Sequence, residues 1–369
     1  MSKAYATIEG TESYTKKFKS PLDAGNYRDF NGLKVSSVGL GTYLGLPNDS
    51  DDKLYVEAIK TALLSGCNLL DSAINYRCMR SERNIGQALK ELIAAGKITR
   101  EEVVVCTKGG FIPFDGGTPP NPAQYFQDEY IKTGLCAPTD IVAGCHCMTP
   151  AYLRNQVERS LKNLGLECLD LFYIHNPETQ LDEMLREAFY LKLEQAFAEL
   201  EKLVAEGKIK AYGTATWNGY RVTPQLREHL SLVDVLKAAQ KAGGNGHHFK
   251  AVQLPYNMGM AEAWGYPSQV LGSQTVPFLE AAKSNQIAVF TSASILQGKL
   301  ASKLPAIIAE TFPGFETDAQ RAIQFTRSTP GVTAALVGMK RKEHVEKNLK
   351  VMAAAPAGAE KIEFLFSEK

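Results

Sequence analysis

The chain has 369 residues, of which 44% are hydrophobic and 22% are charged, proportions that are ordinary for a globular protein with a sizeable core. Its formal net charge of +1 provides no overall attraction to nucleic acid or to acidic membranes. No apolar run approaches the ~20 residues of a membrane span, and residues 1–9 lack the apolar core of a secretion signal. The sequence therefore predicts a cytoplasmic protein that binds neither nucleic acid nor membrane.

Short apolar runs alternate with longer amphipathic stretches along most of the chain. The runs have the length and the β-branched content of strands, and they lie at 36–41, 68–73, 103–108, 169–175, 209–214, 251–256, 288–292 and 333–338. The stretches repeat apolar residues at three- and four-residue steps, as helices do, and they lie at 52–65, 81–95, 151–164, 185–206, 222–242, 275–284, 318–328 and 342–352.

Strand–helix alternation is typical of a parallel sheet with helical crossovers, and eight such units are the number that closes a barrel. We therefore predict the α/β class and a (β/α)8 TIM barrel. A doubly wound open sheet is the alternative. It is disfavoured because the first predicted strand is not followed by the Gly-x-Gly-x-x-Gly motif that binds dinucleotides in such sheets.

One long irregular segment, at about 109–149, interrupts the alternation after the third predicted strand. A loop of this length inside a barrel is usually either functional or disordered. Its aromatic residues favour an ordered lid that covers a pocket. The alternative is a mobile loop on the surface. The predicted organisation is one barrel domain over residues 1–369 that carries this insertion.

The seven cysteines are an odd number without the spacing of a disulfide framework, and several lie in apolar runs where cysteine acts as a small hydrophobe. The triplet Cys145-His146-Cys147 raises the possibility of a metal site. A zinc site needs a second ligand pair at suitable spacing, and the sequence offers none. We therefore predict no metal and no structural disulfide.

Four titratable side chains stand at or just after the ends of three successive predicted strands. Asp71 and Tyr76 follow the second strand, Lys108 ends the third and His175 ends the fourth. The carboxyl ends of barrel strands open onto one face, so we expect these side chains to meet there. An ammonium lowers the pKa of a nearby phenol, a carboxylate fixes that ammonium, and an imidazole orients a substrate oxygen.

Such a cluster can donate a proton to a carbonyl oxygen during reduction. Each of these residues taken alone is more often structural or solvated, and only their joint pattern favours catalysis. A different scheme would use Lys108 as a Schiff-base nucleophile, although that scheme leaves the tyrosine and the histidine less well explained.

The motifs together resemble the aldo-keto reductase family. The pattern Asp-x-Ala-x-x-Tyr stands at 71–76 and Ser-Glu-x-x-Ile-Gly-x-Ala-Leu at 81–89, and the lysine and histidine strands follow in the family's order. The resemblance covers about 36–352. It implies a (β/α)8 barrel that binds NADP(H), or less often NAD(H), in an extended form, and that reduces aldehydes or ketones to alcohols by hydride transfer. It also implies a catalytic tetrad of Asp71, Tyr76, Lys108 and His175, with Tyr76 as the proton donor.

The same resemblance implies where the cofactor lies. Gln253 matches a glutamine that contacts the nicotinamide carboxamide, and Asn348 matches an asparagine near the adenine. Lys340, Arg341 and Lys342 would neutralise a 2′-phosphate, which favours NADP(H) over NAD(H); the alternative for this basic run is a solvated helix start. The complete set of implied cofactor contacts is Thr216, Gln253, Ser292, Gly338, Lys340, Arg341 and Asn348.

The sequence departs from the family pattern around the nicotinamide. Ala215-Thr216 replaces the usual Ser-Asn pair, and Ser292 stands where the family places a tyrosine that stacks on the ring, a contact that Trp217 or Phe290 would have to replace. The complete tetrad favours an NAD(P)H-dependent reductase of a small-molecule carbonyl substrate. The altered pocket supports a second hypothesis, an NADP(H)-binding regulatory or sensor subunit with little turnover.

Overall fold

The computed structural model describes residues 3–18 and 25–367. The strands within them are β1 (Tyr27–Phe30), β2 (Leu33–Ser36), β3 (Val38–Gly41), β4 (Leu69–Asp71), β5 (Val104–Gly109), β6 (Leu171–His175), β7 (Tyr212–Ala215), β8 (Phe249–Pro255), β9 (Pro267–Leu271), β10 (Gln274–Pro277), β11 (Ala288–Ser292) and β12 (Ala334–Gly338). Strands β3 to β8, β11 and β12 close into a barrel in which every neighbouring pair is parallel. The predicted barrel is confirmed, and each of its eight strands overlaps one of the eight predicted runs.

Helices connect the barrel strands on the outside. The helices of the described residues are α1 (Ile8–Lys17), α2 (Asp49–Leu63), α3 (Arg80–Ala94), α4 (Pro122–Phe126), α5 (Pro150–Leu164), α6 (Arg186–Ala205), α7 (Leu232–Gly243), α8 (Glu262–Gly265), α9 (Phe278–Ser284), α10 (Ala306–Thr311), α11 (Asp318–Ser328), α12 (Lys342–Leu349) and α13 (Ala359–Phe366). None of these helices is long and apolar enough to cross a membrane.

Two of the predicted helices begin several residues later in the structure. The helix predicted from residue 222 begins only at Leu232, because the hydroxyl of Ser231 accepts a hydrogen bond from the Asp234 amide and caps the helix there. The helix predicted from residue 275 begins at Phe278. The preceding residues form β10, which pairs with β9 in an antiparallel hairpin.

Two apolar layers surround the barrel strands, because successive side chains of a strand point to opposite faces. On β5, Val104 and Cys106 belong to the cluster inside the barrel, whereas Val105 belongs to the larger cluster between the barrel and its helices. Both layers are fully buried at these positions. This alternation decides which residues at the strand ends point into the barrel.

The hairpin of β1 and β2 covers the amino-terminal end of the barrel. Phe30 and Val35 are buried in the interior cluster, and the Phe30 ring meets the ring of Phe290 edge-on at 5.2 Å between centroids. The Arg28 guanidinium donates hydrogen bonds to the backbone carbonyls of Val332 and Arg327. The hairpin therefore forms a closed floor beneath the interior side chains.

The long segment between β5 and α5 is folded on itself. Tyr130, Cys136 and Cys147 form a small buried cluster with Tyr152 of α5. The Tyr130 hydroxyl donates to the carbonyl of Pro113 at 2.9 Å, within the same segment. These contacts join the segment to α5, and its role as a lid stays a prediction.

Candidate active site

Strand alternation carries the candidate catalytic side chains into the mouth of the barrel. On β5 the interior series Val104 and Cys106 continues to Lys108, and on β4 the interior residue Leu69 is followed two positions later by Asp71. The same step along β6 brings His175 inward. The sequence therefore places an acid, an amine and an imidazole at one level, where three adjacent strands end.

A cavity of about 520 Å³ opens at this end of the barrel. Lys108 is fully buried beneath it, and its ammonium contacts Asp71 at the cavity floor. Lys340, Arg341 and Asn348 lie further along the chain, on the loop and helix that follow β12. The sequence-predicted residues that line the cavity are Asp71, Tyr76, His175, Thr216, Gln253, Ser292 and Gly338.

Lys108 and Asp71 form a buried ion pair. The Lys108 Nζ atom lies 2.6 Å from Asp71 Oδ2 and 2.6 Å from the backbone carbonyl oxygen of Ser72. Gln253 donates from Nε2 to the other carboxylate oxygen of Asp71 at 2.8 Å. Burial disfavours the charged amine, but Asp71 and Tyr76 together outweigh this effect and raise the pKa of Lys108. The amine is therefore charged across the physiological range.

Tyr76 lies directly over this pair. Its ring centroid is 4.8 Å from the Lys108 Nζ atom, and its ring meets that of His175 at 5.7 Å and an interplanar angle of 77°. Burial raises the pKa of Tyr76, and the Lys108 charge opposes that effect without cancelling it. The ammonium thus acts in the predicted direction, but desolvation is stronger, so the phenol keeps its proton at neutral pH.

His175 is neutral at this position. Burial lowers its pKa well below the usual 6.5, and the charge of Lys108 lowers it further. The Nδ1 atom is buried and makes no hydrogen bond to the described residues. The ring of Phe111 packs edge-on against the imidazole at 5.0 Å and an interplanar angle of 86°. A neutral imidazole facing a cavity can orient an oxygen atom without adding charge.

The wall beside β7 carries an unsatisfied polar group. The hydroxyl of Thr216 is buried, lines the cavity and has no hydrogen-bond partner among the described residues. Trp217 lines the same wall and keeps 44% of its surface exposed. Phe290, the other aromatic residue considered for this role, packs against Phe30 at the opposite end of the barrel.

Several residues that line the cavity were not among the predicted site residues. Tyr43 follows the end of β3, and its ring lies 5.0 Å from that of Tyr76. Asn75 precedes Tyr76, and its buried Oδ1 atom has no partner among the described residues. The position of Tyr43 just after a barrel strand was a usable signal. The contribution of Phe111 depends on the path of the long segment, which no local pattern specifies.

Glu178 fixes the cavity wall that contains Trp217. Its Oε1 atom accepts hydrogen bonds from the backbone amides of Trp217 at 2.6 Å, Asn218 at 3.1 Å and Gly219 at 3.4 Å. Burial raises the pKa of Glu178 to about 7, although these amides act in the opposite direction. A carboxyl group in this state protonates over the range in which the protein would work.

We expect Glu178→Gln to remove a pH-dependent loss of stability. The folded pKa is raised, so the stability from Glu178 is complete below about pH 4.5 and is lost as pH rises through 7. The glutamine oxygen still accepts from the amides but does not ionise. From pH 5 to pH 8 the free energy of unfolding of the wild type should fall, relative to the variant, by about 2 to 3 kcal/mol. Urea denaturation at both pH values measures this, and a difference independent of pH would contradict it.

Among the described residues, no group of three or more His, Cys, Asp or Glu side chains is arranged to hold a metal ion. The triplet considered in the sequence does not cluster its side chains. Cys145 is exposed, Cys147 belongs to the buried cluster of the long segment, and both ring nitrogens of His146 make hydrogen bonds within the protein.

Comparisons with known proteins agree with the barrel fold. The sequence profile of the Aldo/keto reductase family matches residues 37–263. The NADH-specific methylglyoxal reductase of Escherichia coli strain K12 is 29% identical over 213 residues, which are 56% of this chain and 55% of that protein. The putative voltage-gated potassium channel subunit beta of Schizosaccharomyces pombe is 24% identical over 342 residues, which are 87% of this chain and 86% of that protein.

A crystal structure of an aldo/keto reductase from Klebsiella pneumoniae in complex with NADP and acetate superimposes with a TM-score of 0.62 at 20% identity, covering 93% of this chain and 94% of that one. The fold and the family match define the class, and the chain belongs to the aldo/keto reductase family. It spans about half the length of curated relatives such as the methylglyoxal reductase.

Proposed function

We propose that this chain reduces aldehydes or ketones to alcohols with NAD(P)H, with Tyr76 as the proton donor. The buried Lys108–Asp71 pair directly beneath the Tyr76 ring, on the floor of the cavity, carries this proposal. A charged amine held at the ring stabilises negative charge as it develops on the phenol oxygen. Few structural roles would require an ion pair at such a depth, since burying charge is costly.

The polar side chains that line the cavity can form hydrogen bonds with a nicotinamide cofactor. The unsatisfied Thr216 hydroxyl and the side chain of Gln253 lie on the same wall, where a carboxamide can donate to one and accept from the other. Trp217 offers an exposed aromatic face beside them, in the absence of a tyrosine at Ser292. The Klebsiella relative, whose structure contains NADP, supports the same cofactor class. Bound there, the reduced cofactor supplies the hydride.

The residues of the chain supply the proton and the geometry. The neutral His175 ring and the Tyr76 hydroxyl present donors to a carbonyl oxygen that enters the cavity. Tyr76 releases its proton to that oxygen as negative charge builds up on it, and Lys108 stabilises the resulting phenolate. Asp71 keeps the ammonium charged and in place, and Phe111 and Trp217 supply apolar lining to the cavity.

A second function is favoured by one observation. The longer alignment, over 87% of this chain, is to a protein named as a putative potassium channel subunit beta. On that basis the barrel would bind NADP(H) and act as a regulatory or sensor subunit with little turnover. The complete tetrad favours the enzyme.

Titration with NADPH and NADH, followed by nicotinamide fluorescence, and NADPH oxidation with a panel of aldehydes and ketones test the two functions together. The reductase requires both cofactor binding and turnover of at least one carbonyl. Binding without any turnover favours the regulatory subunit, and failure to bind either nucleotide contradicts both.

The preference for a 2′-phosphate should depend on Asp51. Lys340, a candidate ligand of that phosphate, is held by Asp51 at 2.9 Å, whereas Arg341 is exposed at the start of α12. We expect Asp51→Asn to release Lys340 and to lower the dissociation constant for NADPH about three- to tenfold, with little change for NADH, because charge pairing near a surface contributes about 1 kcal/mol.

The matched control is Asp49→Asn. Asp49 lies two residues before Asp51 and carries the same charge, but it pairs with Arg80 and not with Lys340. Fluorescence titrations of both variants with both nucleotides decide the matter. Equal effects of the two substitutions would show that only the local charge matters and would refute the role of Lys340.

A further inference from the structure

His146 occupies a buried position that the proposed mechanism does not use. It stands near the end of the long segment, where it forms isolated bridges with Phe111 and with Val142. The Cys147 amide donates to the carbonyl of Gly110 at 2.9 Å, so the two ends of the segment are joined at this point. The His146 side chain is completely buried. The segment thus inserts an imidazole beside the end of β6.

The ring of His146 bonds the backbone of His175. Its Nε2 atom lies 2.7 Å from the His175 carbonyl oxygen. Strand β5 ends at Gly109, which pairs with Ile174 of β6. The next carbonyl of β6, that of His175, is bonded by the His146 ring and not by β5. A Cβ atom at Gly110 would lie 2.7 Å from this Nε2 atom and 2.9 Å from this carbonyl oxygen. The contact therefore requires glycine at 110, where φ is +144°.

A chain of hydrogen bonds fixes which ring nitrogen carries the proton. Lys192 donates from Nζ to Gln180 Oε1 at 2.7 Å, and an ammonium can only donate. The Gln180 amide nitrogen therefore faces His146, and it lies 2.9 Å from Nδ1. Since an amide nitrogen also only donates, Nδ1 is the acceptor and Nε2 carries the hydrogen. The His146 ring thus donates to His175.

The rings reinforce this contact. Phe111 packs edge-on against His146 at 5.2 Å and against His175 at 5.0 Å, so one phenyl ring lies against both imidazoles. Burial lowers the pKa of His146 to about 4, with a further contribution from Lys192, and the ring stays neutral at physiological pH. A neutral donor holds the carbonyl without placing a second charge near the His175 imidazole.

We propose that His146 is a positioning residue, which holds the end of β6 and thereby keeps the His175 imidazole aligned with Tyr76 and the cavity. The proposal rests on the proposed reductase function, in which His175 orients the substrate oxygen. Asn176, next to this carbonyl, has φ of +44°, a left-handed conformation that asparagine adopts more readily than most residues, so the backbone leaves the strand direction directly after the contact. A small displacement of a catalytic group lowers the rate strongly.

The test compares His146→Met with His146→Gln. The two side chains have nearly the same length and shape, but only glutamine can donate a hydrogen bond at the position of Nε2. We expect His146→Met to lower kcat about tenfold at unchanged KM and unchanged NADPH dissociation constant, and His146→Gln to retain most of the kcat. A tenfold loss corresponds to about 1.4 kcal/mol, the upper range for one hydrogen bond.

Equal kcat values in the two variants would overturn the proposal, whether both match the wild type or both are impaired alike, because packing alone would then explain the residue. A readout independent of turnover is the pKa of His175, followed by NMR and assigned with His175→Gln. The groups that face its ring are Lys108, Tyr76 and His146. We expect this pKa to rise towards 6.5 in His146→Met and to stay low in His146→Gln.

The two readouts separate this proposal from the reductase function. A wild-type protein that turns over no carbonyl contradicts the reductase function, and the NMR titration still decides whether His146 controls His175. Identical His175 titrations in both variants would reject the positioning role even in an active enzyme.

Discussion

Replacing Tyr76 with phenylalanine is expected to lower kcat for aldehyde reduction by about 1,000-fold or more, while the dissociation constant for NADPH changes by less than about twofold. The substitution removes only the hydroxyl. The ring keeps its contacts with Tyr43, with His175 and with the Lys108 ammonium. The proton donor is lost and the cavity keeps its shape, so binding and chemistry are affected separately.

Tyr14→Phe is the matched control. It also deletes a buried tyrosine hydroxyl, but one that donates to the Leu63 carbonyl at 2.6 Å on the outside of the barrel. It should lower stability slightly and leave kcat unchanged. Steady-state kinetics of both variants give the comparison. Wild-type turnover in Tyr76→Phe would refute Tyr76 as the proton donor and would require a different donor for the reduction.

The pH dependence of the wild type provides a related check. Because burial holds the pKa of Tyr76 above its usual value, the hydroxyl stays protonated at neutral pH. The reduction rate should therefore fall with increasing pH only beyond ~10, where an ordinary tyrosine ionises.

The second large effect is expected for Lys108→Met. Lys108 is fully buried, and its removal leaves the Asp71 carboxylate at 4% exposure without a counter-ion. Breaking a buried pair in this way costs about 3 to 5 kcal/mol of folding free energy. The Tyr76 phenolate also loses its stabilising charge, so kcat should fall by about 100-fold or more. Guanidinium denaturation and steady-state kinetics measure the two effects.

The double variant Asp71→Asn/Lys108→Met separates stability from activity. It removes both charges, so the penalty of a lone buried carboxylate disappears and much of the stability should return. Activity should not return, since no ammonium lies under Tyr76. If the single and double variants are equally unstable, Asp71 and Lys108 do not form the ion pair described.

The regular part of the fold could be predicted because its signals are local. Buried parallel strands appear as short apolar runs, and the eight runs became the eight barrel strands. The error at 275–284 has the same origin. Thr275 and Val276 continue an amphipathic pattern, but they pair with β9, and pairing across a hairpin outweighs helical periodicity.

Much of the candidate site could be predicted for a related reason. Asp71, Lys108 and His175 stand at strand ends, where barrel topology sets their direction. Contacts between distant parts of the chain could not be predicted. Gln253 bonds to Asp71 across 182 positions and Lys340 bonds to Asp51 across 289, and no spacing in the sequence encodes either. His146 shows the same limit, because its neighbouring cysteines suggest a metal ligand whereas its bonds are to the end of β6.

Because the hairpin covers the amino-terminal end, the barrel is closed at that end and open at the other. Phe30 and Val35 close the base against the interior side chains, so the cavity is reached from the rim at the other end. In the proposed reaction the dinucleotide and the carbonyl compound would therefore enter, and both products would leave, through this same opening.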